Sequence, residues 1–274
     1  MPGKILTVTQ TILLFILLPN KKQSDYDNGM KSINLMLFLT LSLTFFSCAQ
    51  TTDWRTATKE SAKIAPLPSV EKEAVVQVYA AKTVSWRGYF SVHSWVVTKE
   101  KNAPEYTTYH VIGWRSQRGL PVIRVEKDIP DRHWFGARPE LVASYIGPKA
   151  EAMIPEVEAA VKSYPYSEQY RAWPGPNSNT FVSHIIRSTK GMTVELPSNA
   201  IGKDWIYKGQ PVGWSETKTG VQFSLVGALG FTLGLGEGVE VNVLGLTFGL
   251  DFLRPALKLP FVGRVGMDDK PVFD

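Results

Sequence analysis

Ser178 is the residue best placed for chemistry in this chain. It follows the turn Trp173-Pro174-Gly175-Pro176-Asn177 and opens Ser178-Asn179-Thr180-Phe181-Val182. Two prolines bracketing a glycine forbid a helix up to Pro176, and Asn177 and Ser178 are both residue types that cap one. On a helical wheel counted from Phe181, the apolar Phe181, Val182, Ile185 and Ile186 share a face, and Ser178 falls in its middle, one turn earlier. A hydroxyl at that point meets free N–H groups and the positive end of the helix dipole, which together stabilise an oxyanion. The same pattern also describes an ordinary proline turn before a capped helix.

A serine hydroxyl reacts only when a base takes its proton during attack, so the histidines come next. His93 sits mid-strand in Val92-His93-Ser94-Trp95. By the period of two, Ser91, His93 and Trp95 share one face, and Phe90, Val92, Ser94 and Val96 the other. His110, on the following strand, is able to approach His93 or to face away, and it is one candidate for the group that orients the base; Asn179 is another. His133 lies in an aromatic loop and has no assigned place. His184 is six residues after Ser178, about 120° round the wheel, and reads as a flank residue rather than its partner. No set of His, Asp and Glu has the spacing of metal ligands, and neither a metal nor a cofactor is expected.

These residues need elements to hold them. Residues 75–80, 89–97, 106–114 and 122–125 are rich in β-branched and aromatic types and predict strands, the second and third forming an antiparallel hairpin. Apolar residues recur at steps of three and four over 148–164 and predict a helix, with Pro155 kinking or restarting it; 139–145 also reads as helical. The related segments 229–235 and 244–250, studded with glycine, predict a C-terminal β-hairpin, and a hairpin touching a lipid surface is one reading of it. The expected fold class is α+β, an antiparallel sheet packed on a small helical layer.

The chain has 274 residues, 44% of them hydrophobic, enough for one sizeable core. A net charge of +5, scattered along the sequence, gives no basic patch of the kind that binds nucleic acid. Met30-Lys31 followed by the apolar run 33–46 has the anatomy of a secretory signal, and Phe46-Ser47-Cys48 is similar to a bacterial lipobox. The expectation is an upstream extension at 1–29 before the true start at Met30, a lipoprotein signal peptide at 30–47 and a tether at 48–70. A single globular domain at 71–266 and a tail at 267–274 follow. Cys48, the only cysteine, is then lipidated and anchors the protein to a membrane of the bacterial cell envelope, the outer membrane facing the periplasm; an uncleaved N-terminal anchor is the alternative.

The turn 173–181, the strand 88–97 and the tail 239–260 resemble a bacterial family known only as domain of unknown function 3750, over residues 75–266. A more distant likeness carries chemistry. The His93 strand and Asn177-Ser178-Asn179-Thr180-Phe181 are similar, in order and spacing, to the histidine strand and nucleophile segment of circularly permuted papain-like hydrolases and acyltransferases of the NlpC/P60 type. Ser178 stands where those proteins have cysteine. The resemblance implies an amide or ester hydrolase or an acyltransferase, with Ser178 as nucleophile, His93 as general base, His110 or Asn179 as third group, and the N–H groups of 178–180 as part of an oxyanion hole. Two alternatives stand beside it: a non-catalytic lipoprotein whose cleft binds peptidoglycan peptides or acyl chains, and a structural envelope protein.

Overall fold

The computed structural model describes residues 53–268 together with 272 and 273; the signal segment and Cys48 lie outside the described residues. The class is α+β, with two largely antiparallel sheets and few helices. The first sheet contains β1 (Val75–Lys82), β2 (Val92–Lys99), β3 (Thr107–Val111), β4 (Ile123–Lys127), β5 (Glu140–Ile146) and β13 (Val272–Phe273), in the order β13-β5-β1-β2-β3-β4. The hairpin of β2 and β3 is present, with Val96 opposite Tyr109.

Both faces of this sheet are covered, which explains why β1 and β2 are apolar almost throughout. Val76, Val78, Val92, Val96 and Tyr109 pack with the helices α1 (Pro148–Ser163) and α2 (Ser178–Ser188). On the other face Val75, Tyr79, Trp95 and Val97 form a second cluster, covered by Ile64, Trp134 and Leu141. Residues 53–70, expected as part of a tether, supply some of that cover. Asp131 accepts hydrogen bonds from Ser61 Oγ (2.8 Å) and from the backbone N–H groups of Ile64 and Ala65, fixing the segment against the loop before β5.

Three expectations need correction. Residues 140–146 form β5, not a helix, because they pair antiparallel with β1 and bury Ala143 and Tyr145 under α1. The second strand starts at Val92, since Ser85–Tyr89 is a 3₁₀ turn. The C-terminal region is not one hairpin but a second sheet, whose strands β6 (Val212–Trp214), β7 (Gly220–Ser224), β8 (Leu229–Gly234), β9 (Gly238–Val243), β10 (Leu246–Asp251), β11 (Ala256–Leu259) and β12 (Gly263–Gly266) follow one another as a meander. The two glycine-studded segments are β8 and β10, and each pairs with β9 between them. Between them β9 turns the polar side chains of Glu240 and Asn242 inward.

Candidate functional site

The start of α2 is held by a capping box. Asn177 is its N-cap: its side-chain oxygen accepts from the N–H of Asn179 (2.9 Å) and of Thr180 (3.2 Å), and Thr180 Oγ1 accepts in return from the Asn177 N–H. Asn177 Nδ2 donates to the carbonyls of Ala172 and Ile201. The peptide bonds before Pro174 and Pro176 are both cis. Gly202, at φ +96°, lies so close beneath the cap that a Cβ there would stand 2.9 Å from Asn177 Oδ1, so the position requires glycine.

Asn179 then locks the helix to the sheet. Its Oδ1 accepts from Ser94 Oγ (2.8 Å), and its Nδ2 donates to the carbonyls of Val92 (3.0 Å) and Ile201 (2.9 Å). With the amide committed in this way, Asn179 positions the site and has no group left to orient a histidine. The capping bonds also change the expected oxyanion hole. The N–H groups of Asn179 and Thr180 point at Asn177, which leaves the Ser178 N–H as the one donor of the three that the cap does not occupy.

Ser178 is 5% exposed, and its hydroxyl makes no hydrogen bond with any described residue. It lines a cleft of about 930 Å³ together with His93, so the structure brings the two sequence-predicted residues to one cavity. They approach it from different sides. Val92 and Ser94 face α2, whereas His93 turns to the opposite face of β2.

His93 is buried in an aromatic stack. Its ring lies 3.7 Å from that of Trp134, nearly parallel, with Trp95 at 5.8 Å on the same face and His110 edge-on at 5.9 Å. Trp134 comes from the loop between β4 and β5 that the sequence marked only by its aromatic content. Burial above all, with His110 beside it, holds His93 well below the usual imidazole range. Burial, helped by Arg124, brings His110 down to about 4. Both rings are therefore neutral at neutral pH, and the 3.4 Å approach of His110 Nε2 to Glu126 is not a charged pair. The Nε2 atoms of His93 and His110 are both buried without a hydrogen-bond partner.

The other two histidines lie elsewhere. His184 packs on the far side of α2, its Nε2 3.0 Å from the Ala160 carbonyl and its ring stacked on Tyr207. His133 holds the Glu60 carbonyl at the surface. The cleft wall also carries Trp54, Trp114, Phe135 and Tyr170 with Lys59, Arg87 and Arg118, and among the described residues no carboxylate lines it.

Residues 73–205 match the model of a family described as "Protein of unknown function (DUF3750)". That span holds Ser178, Asn179, His93, His110 and Trp134, leaves out Trp54 and Lys59 of the cleft wall, and ends before the second sheet. No curated protein and no solved structure matches the chain.

Proposed function

The chain belongs to the DUF3750 family, whose description names no activity, and we propose that its cleft is a papain-like acyl-transfer site that hydrolyses or transfers an amide or ester. The observation that carries this reading is the unbonded Ser178 hydroxyl at a capped helix N-terminus, in one cavity with His93. Because His93 faces away from α2, the proton passes through a water in the shared cavity: a neutral His93 takes the hydroxyl proton by that route as Ser178 Oγ attacks the acyl carbon, and returns it to the leaving group. The Ser178 N–H and the α2 dipole stabilise the oxyanion. His110, whose ring meets His93 edge-on, is the orienting group in place of Asn179. Anchoring by lipidated Cys48 in the bacterial envelope completes the proposal and gives the tethered site access to envelope substrates.

A second reading has its own observation. Three cations, no carboxylate and four further aromatic rings suit a ligand with carboxylates and an apolar or ring-shaped body. Peptidoglycan peptides and acyl chains ending in an acid have that chemistry, and the cleft could hold them without reacting.

One variant separates the readings. In a Cys48→Ala background, Ser178→Cys leaves a single thiol at the nucleophile position. The helix dipole and the three cations favour its thiolate, so alkylation at pH 7 is expected to run at least about tenfold faster than for a free thiol. Adding His93→Ala should slow it several-fold. An ordinary free-thiol rate, indifferent to His93, removes the acyl-transfer reading. The binding reading then rests on whether a peptidoglycan peptide still titrates into the cleft and loses affinity in Arg87→Ala.

A further inference from the structure

The second sheet is patterned inside out. Well over half of the large hydrophobic side chains that lie exposed among the described residues belong to it or its turns. Its inner face, turned to the rest of the domain, carries Gln222, Thr232, Glu240, Asn242, Thr247 and Lys258, all buried. Its outer face is apolar from edge to edge. One cross-strand row runs Trp214, Val221, Leu233, Val239, Leu250, Leu257, Val265 through all seven strands, and none of the outward side chains on these strands is polar. A half-buried antiparallel sheet ordinarily shows the reverse, apolar inward and polar outward.

We infer that this outer face seats on the hydrocarbon boundary of a lipid bilayer. Apolar-out and polar-in alternation is the pattern of strands that meet lipid. A protein interface of this extent would carry about one hydrogen bond per 100–200 Å², and the strands of this face offer a single side-chain donor, the indole N–H of Trp214 at the edge strand β6. The turns point the same way. Val226, Leu244 and Phe261 hold left-handed backbone (φ +45°, +53° and +69°), where water-facing turns take Gly, Asn or Asp, and all three are exposed. At the opposite end of the strands Leu235, Phe252 and Leu253 are exposed as well.

The strands limit how deep the sheet goes. They are three to six residues long, against the roughly 9–11 that a spanning strand needs. Among the described residues the edges β6 and β12 have no outer neighbour, and unpaired backbone edges do not enter hydrocarbon. The sheet therefore lies flat, dipping its side chains into the boundary. Seven strands at ~4.8 Å make a face roughly 30 Å wide. This inference is independent of whether the cleft is catalytic.

The test uses the full chain with Cys48→Ala, an environment-sensitive fluorophore on Leu233→Cys in the outer row, and a control with the fluorophore on Lys101→Cys, far from the sheet. Both positions are exposed, so labelling leaves the core intact. With phosphatidylcholine vesicles, the label at 233 is expected to shift to the blue and to be quenched several-fold more by a nitroxide on the acyl chain than the label at 101, with little dependence on salt. Three results would overturn the inference: vesicles that bind the chain but leave the label at 233 unmoved, so that other residues do the binding; no binding to vesicles at all; or a label at 233 that is already blue-shifted in buffer, with light scattering giving twice the chain mass, so that a second copy covers the face.

Discussion

His93 and His110 make the site sensitive to acid in a direction that can be worked out. Both imidazoles are held below their ordinary range by burial, so in the unfolded chain they bind protons at a pH where the folded chain does not. Stability then rises with pH wherever the unfolded state holds more protons. The contribution of His110 is fully present above about pH 6.5 and is lost as the pH falls towards about 4. The melting temperature should therefore drop steeply between pH 6.5 and 4, and His110→Gln should flatten part of that slope while leaving the value at pH 8 nearly unchanged. A melting temperature that is level across this window would mean that neither ring is buried neutral. Ser178 behaves differently, because its hydroxyl has no partner and Asn177 is the cap. Ser178→Ala should shift stability by no more than about 0.5 kcal/mol. Ser178→Leu, placing a larger side chain at a 5% exposed position, should cost roughly 1–3 kcal/mol. Thermal melts of the pair decide whether Ser178 is part of the packed cleft wall.

Asn179 acts between elements, not within one. Its amide ties α2 to β2 through Ser94 and Val92 and to the following turn through Ile201. Asn179→Ala removes three buried hydrogen bonds and strands the Ser94 hydroxyl, while the Ile201 carbonyl keeps Asn177 Nδ2 and the Val92 carbonyl keeps Ser91 Oγ; at about 1 kcal/mol per bond a loss of about 3 kcal/mol is expected in a denaturant melt, against near neutrality for Ser178→Ala. The elements it joins were legible in the sequence because local signals agreed: two prolines, a capping residue and an apolar stripe place the start of α2, and alternating β-branched residues place β1 to β3. Those signals do not pair Ser178 with His93; that expectation came from the papain-like resemblance alone. What failed did so for physical reasons. In 139–145 no local preference separates strand from helix, and pairing with β1 decides. Trp134 belongs to a loop whose place is set by Asp131 and residues 61–65, contacts about 70 residues apart that no periodicity reports. The burial of Glu240 was equally illegible, since nothing local shows that the lysines that pair with it lie on other elements.

At the scale of the whole molecule, the second sheet has no apolar core of its own to hold it on the domain. Its inner face meets the rest through charge. Lys258 of β11 donates to Glu195 (2.6 and 2.7 Å) and to Glu240 of β9 (2.9 Å), while Lys203 bridges the same two carboxylates at 2.7 and 3.2 Å. The Lys203 carbonyl in turn accepts from Ser183 of α2. Burial pulls the Lys203 ammonium down, but Glu195 and Glu240 outweigh it and keep the pKa above the ordinary lysine value. A buried set of this kind contributes little net stability while intact, yet removing one member strands the opposite charge, at roughly 3–5 kcal/mol. That is a large part of the 5–15 kcal/mol by which domains are stable. Because the network joins β9 and β11 to α2, and Asn179 joins α2 to β2, damage to it should not stay in the second sheet. Lys258→Met is predicted to lower the protection of amide hydrogens in β2 and in β9 by the same amount, as one cooperative unit, when exchange is followed by mass spectrometry across a denaturant series. Loss confined to β6–β12, with β2 unchanged, would show that the sheets unfold separately and that the buried charges do not couple the candidate site to the apolar face.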